Sequence, residues 1–308
     1  MKQFFVERSE KLSGGHGLPR YILALLLFGS NGVVASTIHL GSVEIVLLRS
    51  TFGCILLAAL FFAAGNRLKG TSKNPDLLFV ALSGVAMAAD WLFLFEAYAE
   101  IGVSLGMLIN YTGPAIVIAL SPAVLGERVT PRKIVALVCA LAGACLISGQ
   151  AVISGLSVRG LICAVLSAFS YAVMVLANKK ARSIAGIENA ALQMFFCAAT
   201  VVLFCLLRAT RFTVLRGDWL PILWLGLVNT GLGCYFYFSS IGKLPAQSVA
   251  VCGYIEPLSA VLLSALILRE SLSGVQVLGA ALILGGALFG ELGSSWHSLF
   301  PTPGKKVG

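Results

Sequence analysis

Long apolar runs alternate with short polar breaks along the whole chain. A helix needs roughly 20 mainly apolar residues to cross about 30 Å of hydrocarbon. Ten segments qualify, over about 20–39, 43–64, 77–98, 103–125, 131–149, 158–177, 188–207, 219–240, 247–268 and 274–291. Turn residues or charges separate them, as at Gly65-Asn66-Arg67, Asn74-Pro75-Asp76, Asn178-Lys179-Lys180 and Arg216-Gly217-Asp218. The pattern predicts an all-α integral membrane protein with ten transmembrane helices, flanked by cytoplasmic segments 1–19 and 292–308.

Composition agrees. Charged residues make up 11% and apolar ones 58%, whereas a soluble domain carries about 25% charge. The formal charge of +9 does not indicate nucleic acid, because the cations sit in short loops between apolar runs. With the N-terminus inside, 16 of the 22 Lys and Arg fall on the cytoplasmic side and 5 outside, with Arg49 left in span 2. That bias predicts a multi-pass plasma (inner) membrane protein with both termini cytoplasmic. The loop 208–218, with Arg208, Arg211 and Arg216, runs against it. The run Tyr21–Phe28 loosely resembles a signal peptide, but Ser30 and Asn31 interrupt it, so an uncleaved first span is expected. All eight cysteines lie in apolar segments without a CxxC, and read as small packing residues. His16, His39 and His297 fall at span ends, so no metal site or other cofactor is expected.

The chain repeats itself. Tyr111-Thr112-Gly113-Pro114 aligns with Tyr254-Ile255-Glu256-Pro257 at an offset of 143, and Glu127 and Glu270 each follow their proline by 13 residues. At the same offset Thr130 matches Ser273 and Gly143 matches Gly286; Glu44–Arg49 matches Glu188–Gln193 with a slip of one. Residues 20–149 and 158–291 are therefore two five-span copies. An odd number of spans forces the copies to cross the membrane in opposite directions, a 5+5 inverted repeat of the kind that builds secondary transporters around a central cavity.

These residues carry a resemblance. The pattern Tyr-x-x-Pro-x12-Glu follows a span ending Ala97-Tyr98-Ala99-Glu100-Ile101-Gly102. It recurs as Tyr254-Ile-Glu256-Pro257 with Leu268-Arg-Glu270, after Phe238-Ser-Ser-Ile-Gly-Lys243. With Arg49 in span 2, the layout resembles the EamA-type family of the drug/metabolite transporter superfamily over residues 20–291. The resemblance implies a 5+5 inverted-repeat fold with a central cavity and movement of solute across the plasma membrane, often export of metabolites or amino acids. The first copy departs from the second in having Gly113 where the second has Glu256.

Ionisable groups within spans cost at least ~2.5–3.5 kcal/mol to insert and mark functional candidates. Glu256 lies near the midplane of span 9, beside Pro257, and is assigned to the cavity. Pro114 after Gly113 interrupts span 4 as Pro257 interrupts span 9, and paired interruptions point to a midplane binding site or hinge. On span 3, a rotation of 100° per residue groups Asp90, Trp91, Leu94 and Tyr98 on one arc and sets Glu96 and Glu100 opposite. Arg49 and Glu96 agree in depth, so an intramembrane ion pair between them is expected as an architectural clamp. Asn31, Asn110, Tyr111, Tyr171, Gln193, Tyr235 and Tyr254 are further cavity candidates, with Asn229 and Tyr237 beside them; each could instead form an interhelical hydrogen bond. Thr130 and Ser273 read as N-caps, which makes Glu127 and Glu270 helix-end residues. Small-residue stripes (Ala136, Ala140 and Ala144; Gly286 and Gly290) suit close helix contact within the scaffold or a homodimer face, so monomer and homodimer both stay open.

No intramembrane His, GxSxG or HExxH supports a membrane enzyme, and no P-loop supports ATP drive. A scaffold predicts neither matched interruptions nor midplane carboxylates. The expected function is a secondary transporter, an exporter of a small metabolite or amino acid by alternating access, whose partners are the bilayer, the solute and, if Glu256 or Asp90 couples transport, protons. A passive facilitator of a small organic solute is the alternative.

Overall fold

The computed structural model describes residues 17–35, 37–66, 75–101, 106, 109–148, 157–210, 213–267 and 274–299. Arg211, Glu270, Ser273 and the terminal stretches 1–16 and 300–308 lie outside them. Every regular element among the described residues is helical: α1 (Gly17–Gly29), α2 (Asn31–Ala35), α3 (Ser42–Ala63), α4 (Asp76–Ile101), α5 (Gly113–Leu125), α6 (Pro131–Ser148), α7 (Val158–Lys180) and α8 (Gly186–Leu207). A turn of 3₁₀ helix leads into α9 (Trp219–Leu223), a π-helical stretch (Trp224–Leu232) and α10 (Gly233–Ile241), which run on as one rod. Then come α11 (Ala246–Gly253), α12 (Ile255–Ile267) and α13 (Gly274–Leu299).

Local chemistry places several of the ends. The Gly160 N–H donates to Ser157 Oγ at 3.3 Å, starting α7. The Lys133 N–H donates to Thr130 Oγ1 at 3.4 Å, so Thr130 caps α6 as its sequence position suggests. Gly126, with φ +70°, closes α5 in the left-handed conformation that glycine adopts without strain.

Six helical rods are long and apolar enough to cross a bilayer: Gly17–Ala35, Ser42–Ala63, Asp76–Ile101, Val158–Lys180, Gly186–Leu207 and Arg216–Ile241. Two of the other four expected spans are broken helices. Span 4 breaks at Tyr111-Thr112 and span 9 at Tyr254, leaving α5 and α12 with 13 residues each, or about 20 Å of rise. The outer surface is apolar, with Leu78, Leu207, Leu220 and Leu266 each over 70% exposed, as lipid contact demands.

The helices pair in a definite pattern. Here α4 packs on α7 and α10 on α1; α5 packs on α7 and α12 on α1; α3 packs on α8 and α6 on α13. The α6–α13 contact uses the small residues noted above. A side-chain carbon added at Gly143 would meet Ile283 and the Gly279 carbonyl; one added at Gly286 would meet Cys139 and the Ala136 carbonyl. Ala136, Ala140 and Gly286 of those stripes are thus occupied within the chain. One end of the bundle gathers Gly17, Asp76, Glu127, Ser183 and Ala246. The far end gathers His39 with Asp218 and Glu100 with Ser157.

Overpacking a tight site costs about 1–3 kcal/mol. Gly143→Val should therefore lower the melting temperature of the purified protein, whereas Gly285→Val, which has open space beside it, should leave it within a degree or so of wild type.

Candidate functional site

A cavity of about 660 Å³ lies among α1, α3, α4, α7, α10 and the two broken helices. Its wall extends to Ala35, Ser42 and Ala99, so it reaches toward the far end of the bundle. Three side chains of the Arg, Asp and Glu types line it, from three elements: Arg49 on α3, Asp90 on α4 and Glu256 in the first turn of α12. Glu256 lies within electrostatic range of both Arg49 and Asp90.

Asp90 is 5% exposed. Its Oδ1 accepts hydrogen bonds from Ser167 Oγ at 2.6 Å and Asn110 Nδ2 at 3.0 Å, and Asn110 Nδ2 also approaches Ser167 Oγ at 2.6 Å. The carboxylate is thereby held by α7 and by the segment before the α5 break. Arg49 donates from Nε to Thr230 Oγ1 at 3.0 Å, and its guanidinium lies 4.4 Å from the Trp91 ring centre. Thr230 belongs to the π-helical stretch, a departure from α geometry that is frequent at functional sites. From the same stretch the two N–H groups of Asn229 Nδ2 are shared among the Leu27 carbonyl, Ser30 Oγ and Asn31 Oδ1, closing the α1–α2 junction. Glu256 differs from both: among the described residues its carboxylate forms no hydrogen bond or ion pair, and it faces the cavity.

Aromatic side chains supply much of the remaining wall. Tyr111 and Tyr254, repeat mates by sequence, have ring centres 6.3 Å apart, and Tyr254 OH donates to the Tyr111 carbonyl at 2.6 Å. Trp91, Tyr98, Tyr171 and Tyr237 complete it, with Asn31, Asn110 and Pro114 also on the wall. Pro257 sits at the third position of α12, and Pro114 at the second of α5, where the missing N–H disrupts no helical bond. Gly113 answers a separate need. A side-chain carbon there would lie 2.8 Å from Tyr171 Cδ1 and 3.0 Å from the Ala168 carbonyl, so α7 occupies the space that Glu256 fills in the other half.

Three expectations need correction. Arg49 does not pair with Glu96; the partner of Glu96 is Arg159, at the start of α7. Depth alone suggested the pair, but Glu96 lies on the face of α4 opposite Trp91, and Arg49 stacks on Trp91. Gln193 lies behind the wall in a buried amide cluster: Asn178 Nδ2 donates to Gln193 Oε1 at 3.1 Å and to Asn189 Oδ1 at 3.0 Å. Tyr235 packs against Phe236 and is not on the wall. Ser167, whose hydroxyl fixes Asp90, is the principal residue that sequence reasoning missed; a serine on an apolar helix gives no signal until its partner is known.

Exposed ion pairs contribute about 0.2–1 kcal/mol. A double-mutant cycle on unfolding should find coupling of that size between Glu96→Ala and Arg159→Ala. The cycle between Glu96→Ala and Arg49→Ala should come out additive.

The comparisons with known proteins agree with this architecture. The family model of EamA-like transporters matches residues 17–149 and again 158–290. The chain is 23% identical to the uncharacterized transporter YxxF of Bacillus subtilis, over 87% of this chain and 86% of that one. It is 23% identical to the uncharacterized inner membrane transporter YicL of Salmonella typhimurium, over 90% and 96%. It is 24% identical to a protein of Escherichia coli named a probable amino-acid metabolite efflux pump, over 90% and 95%. A crystal structure shares the fold with a TM-score of 0.79 at 23% identity, covering 90% of this chain and 98% of the other. The double match of one family model, over nearly the whole of a multi-pass helical chain, places this protein in the EamA-like transporter family.

Proposed function

We propose that the chain is a secondary transporter that exports a small amphiphilic metabolite, an amino acid or a solute like it, by alternating access around the 660 Å³ cavity. One observation carries this reading: a cation and two carboxylates converge on a cavity where two helices are broken at matched positions. Burying such groups in lipid is costly, and a solute carrying both charges offsets that cost. Glu256, unpaired among the described residues, suits the solute's cationic group; Arg49, whose Nε is held and whose guanidinium is stacked, suits its anionic group. The aromatic wall accommodates an apolar body.

The helix pairing supports two inverted five-span repeats, 20–149 and 158–291, making ten spans in all. At the offset of the repeat, α4–α7 is the counterpart of α10–α1, and α5–α7 that of α12–α1, while α3–α8 and α6–α13 each map onto themselves. That is the pattern an internal two-fold axis produces, and an odd number of spans per half implies an axis in the membrane plane. The excess of Lys and Arg at the α1 N-terminal end supports a cytoplasmic N-terminus in the plasma membrane, and the Salmonella relative is named an inner membrane protein. The Escherichia relative's name supports amino-acid metabolites as the solute class and efflux as the direction. No nucleophile–base pair or metal chemistry is part of this reading.

The test is thermal stabilisation of purified protein across a metabolite panel, followed by transport of the hits in reconstituted vesicles. Glu256→Gln and Arg49→Gln should each slow transport about tenfold or more, equivalent to about 1.4 kcal/mol or more of lost interaction. If protons are coupled, an imposed pH gradient should drive accumulation in wild type and fail to do so in Glu256→Gln. Transport indifferent to the gradient would leave facilitated export as the mechanism, whereas a fully active Glu256→Gln would overturn the binding role given to Glu256.

A further inference from the structure

A second cavity, of about 1310 Å³, opens at the end of the bundle that carries the start of α1. Its walls come from the α5–α6 turn, the α7–α8 turn and the α10–α11 turn. Six cations line it: Arg128, Arg132, Lys133, Lys179, Arg182 and Lys243. Among the residues lining it Glu127 is the one carboxylate, and it is already engaged. Both its oxygens accept the Ala246 N–H, at 3.0 and 2.9 Å, capping the start of α11, and Lys179 Nζ stands 3.8 Å away.

Orientation in a membrane asks only that cations stay on one side, and exposed loop positions serve that purpose. Two of these lysines are instead built into the wall. Lys133 is 6% exposed, with its ammonium on Ser248 Oγ at 2.9 Å. The Lys179 side chain is 7% exposed, and Nζ donates to the carbonyls of Ile241 and Leu244. Taking ammonium groups out of water has a cost that an anion in the crevice would offset, and a low-dielectric cleft of one sign concentrates small ions of the other. The crevice also adjoins the central cavity. Phe238 lines both, and its carbonyl is fixed by Asn189 Nδ2 at 3.1 Å.

We propose that this crevice binds the anionic group, carboxylate or phosphate, of the transported solute at the end of the bundle opposite the one toward which the central cavity reaches. The assignment rests on the transporter reading for the word transported; the binding of a small anion here does not.

The test uses full-length protein in nanodiscs of phosphatidylcholine alone, with glutarate and inorganic phosphate as probes against sodium chloride of equal ionic strength. At least one probe should raise the melting temperature by several degrees beyond the chloride control. Arg132→Gln and Arg128→Gln, both at exposed positions that leave folding intact, should each weaken the apparent affinity on the order of tenfold; Lys133→Gln should do so more strongly wherever it folds. Stabilisation by chloride alone, or undiminished in both Arg variants, overturns the proposal. So does a response that Arg49→Gln removes and Arg132→Gln does not, since that response belongs to the central cavity. Stabilisation seen only when phosphatidylglycerol is added would assign the crevice to a lipid headgroup and likewise overturn it. Anion binding with no transport of any panel solute would contradict the transporter reading and leave the anion site standing.

Discussion

The structure depends on how backbone groups are satisfied where a helix is broken away from water. A break in hydrocarbon frees carbonyls that no solvent can reach, each costing several kcal/mol if left unpaired. Here two breaks are set against each other. Tyr254, at one of them, donates its hydroxyl to the carbonyl of Tyr111 at the other, 2.6 Å away. One side chain thus answers for a broken helix in the opposite half and ties the halves together beside the cavity. The prolines that follow fit because the first turn of a helix has no N–H partner to lose.

Around that link, one motif has two outcomes. The same Tyr-x-x-Pro frame holds Gly113 in the first half and Glu256 in the second. At Gly113 the Tyr171 ring and the Ala168 carbonyl of α7 crowd the place of a side-chain carbon; at Glu256 the equivalent space is open cavity and takes a carboxylate. Arg49 and its counterpart Gln193 divide in the same way, Arg49 reaching the cavity and Gln193 joining an amide cluster behind it. A duplicated scaffold with unequal filling yields a site in which Arg49 and Glu256, one from each half, have no repeat mate of the same charge. A symmetric copy would put like charges together.

Much of this was legible in the sequence because it follows from period and spacing. Apolar length gave the long helices, and the offset of 143 identified the paired breaks. The 100° rotation put Asp90, Trp91 and Tyr98 on one face, where the cavity wall has them. What could not be read depends on partners brought together by tertiary packing. The π-helical stretch that delivers Thr230 to Arg49 has no period of its own in the sequence. The engagement of Glu96 by Arg159 depends on the start of α7 meeting the end of α4, and depth matching cannot supply that. The basic crevice is made by three turns far apart in the chain, each of which alone looks like an ordinary cytoplasmic loop.

The central claim is that solute reaches the cavity from alternate ends of the bundle. The most direct measurement is the labelling of single cysteines by a membrane-impermeant maleimide in a background without the native cysteines. One cysteine replaces Ala99, at the cavity's far end; the other replaces Phe238, between the two cavities. When a transported solute is added, labelling of Ala99→Cys from the far side and of Phe238→Cys from the α1 N-terminal side should change in opposite directions. Labelling that changes in the same direction at both, or at neither while solute is moving, would contradict alternating access.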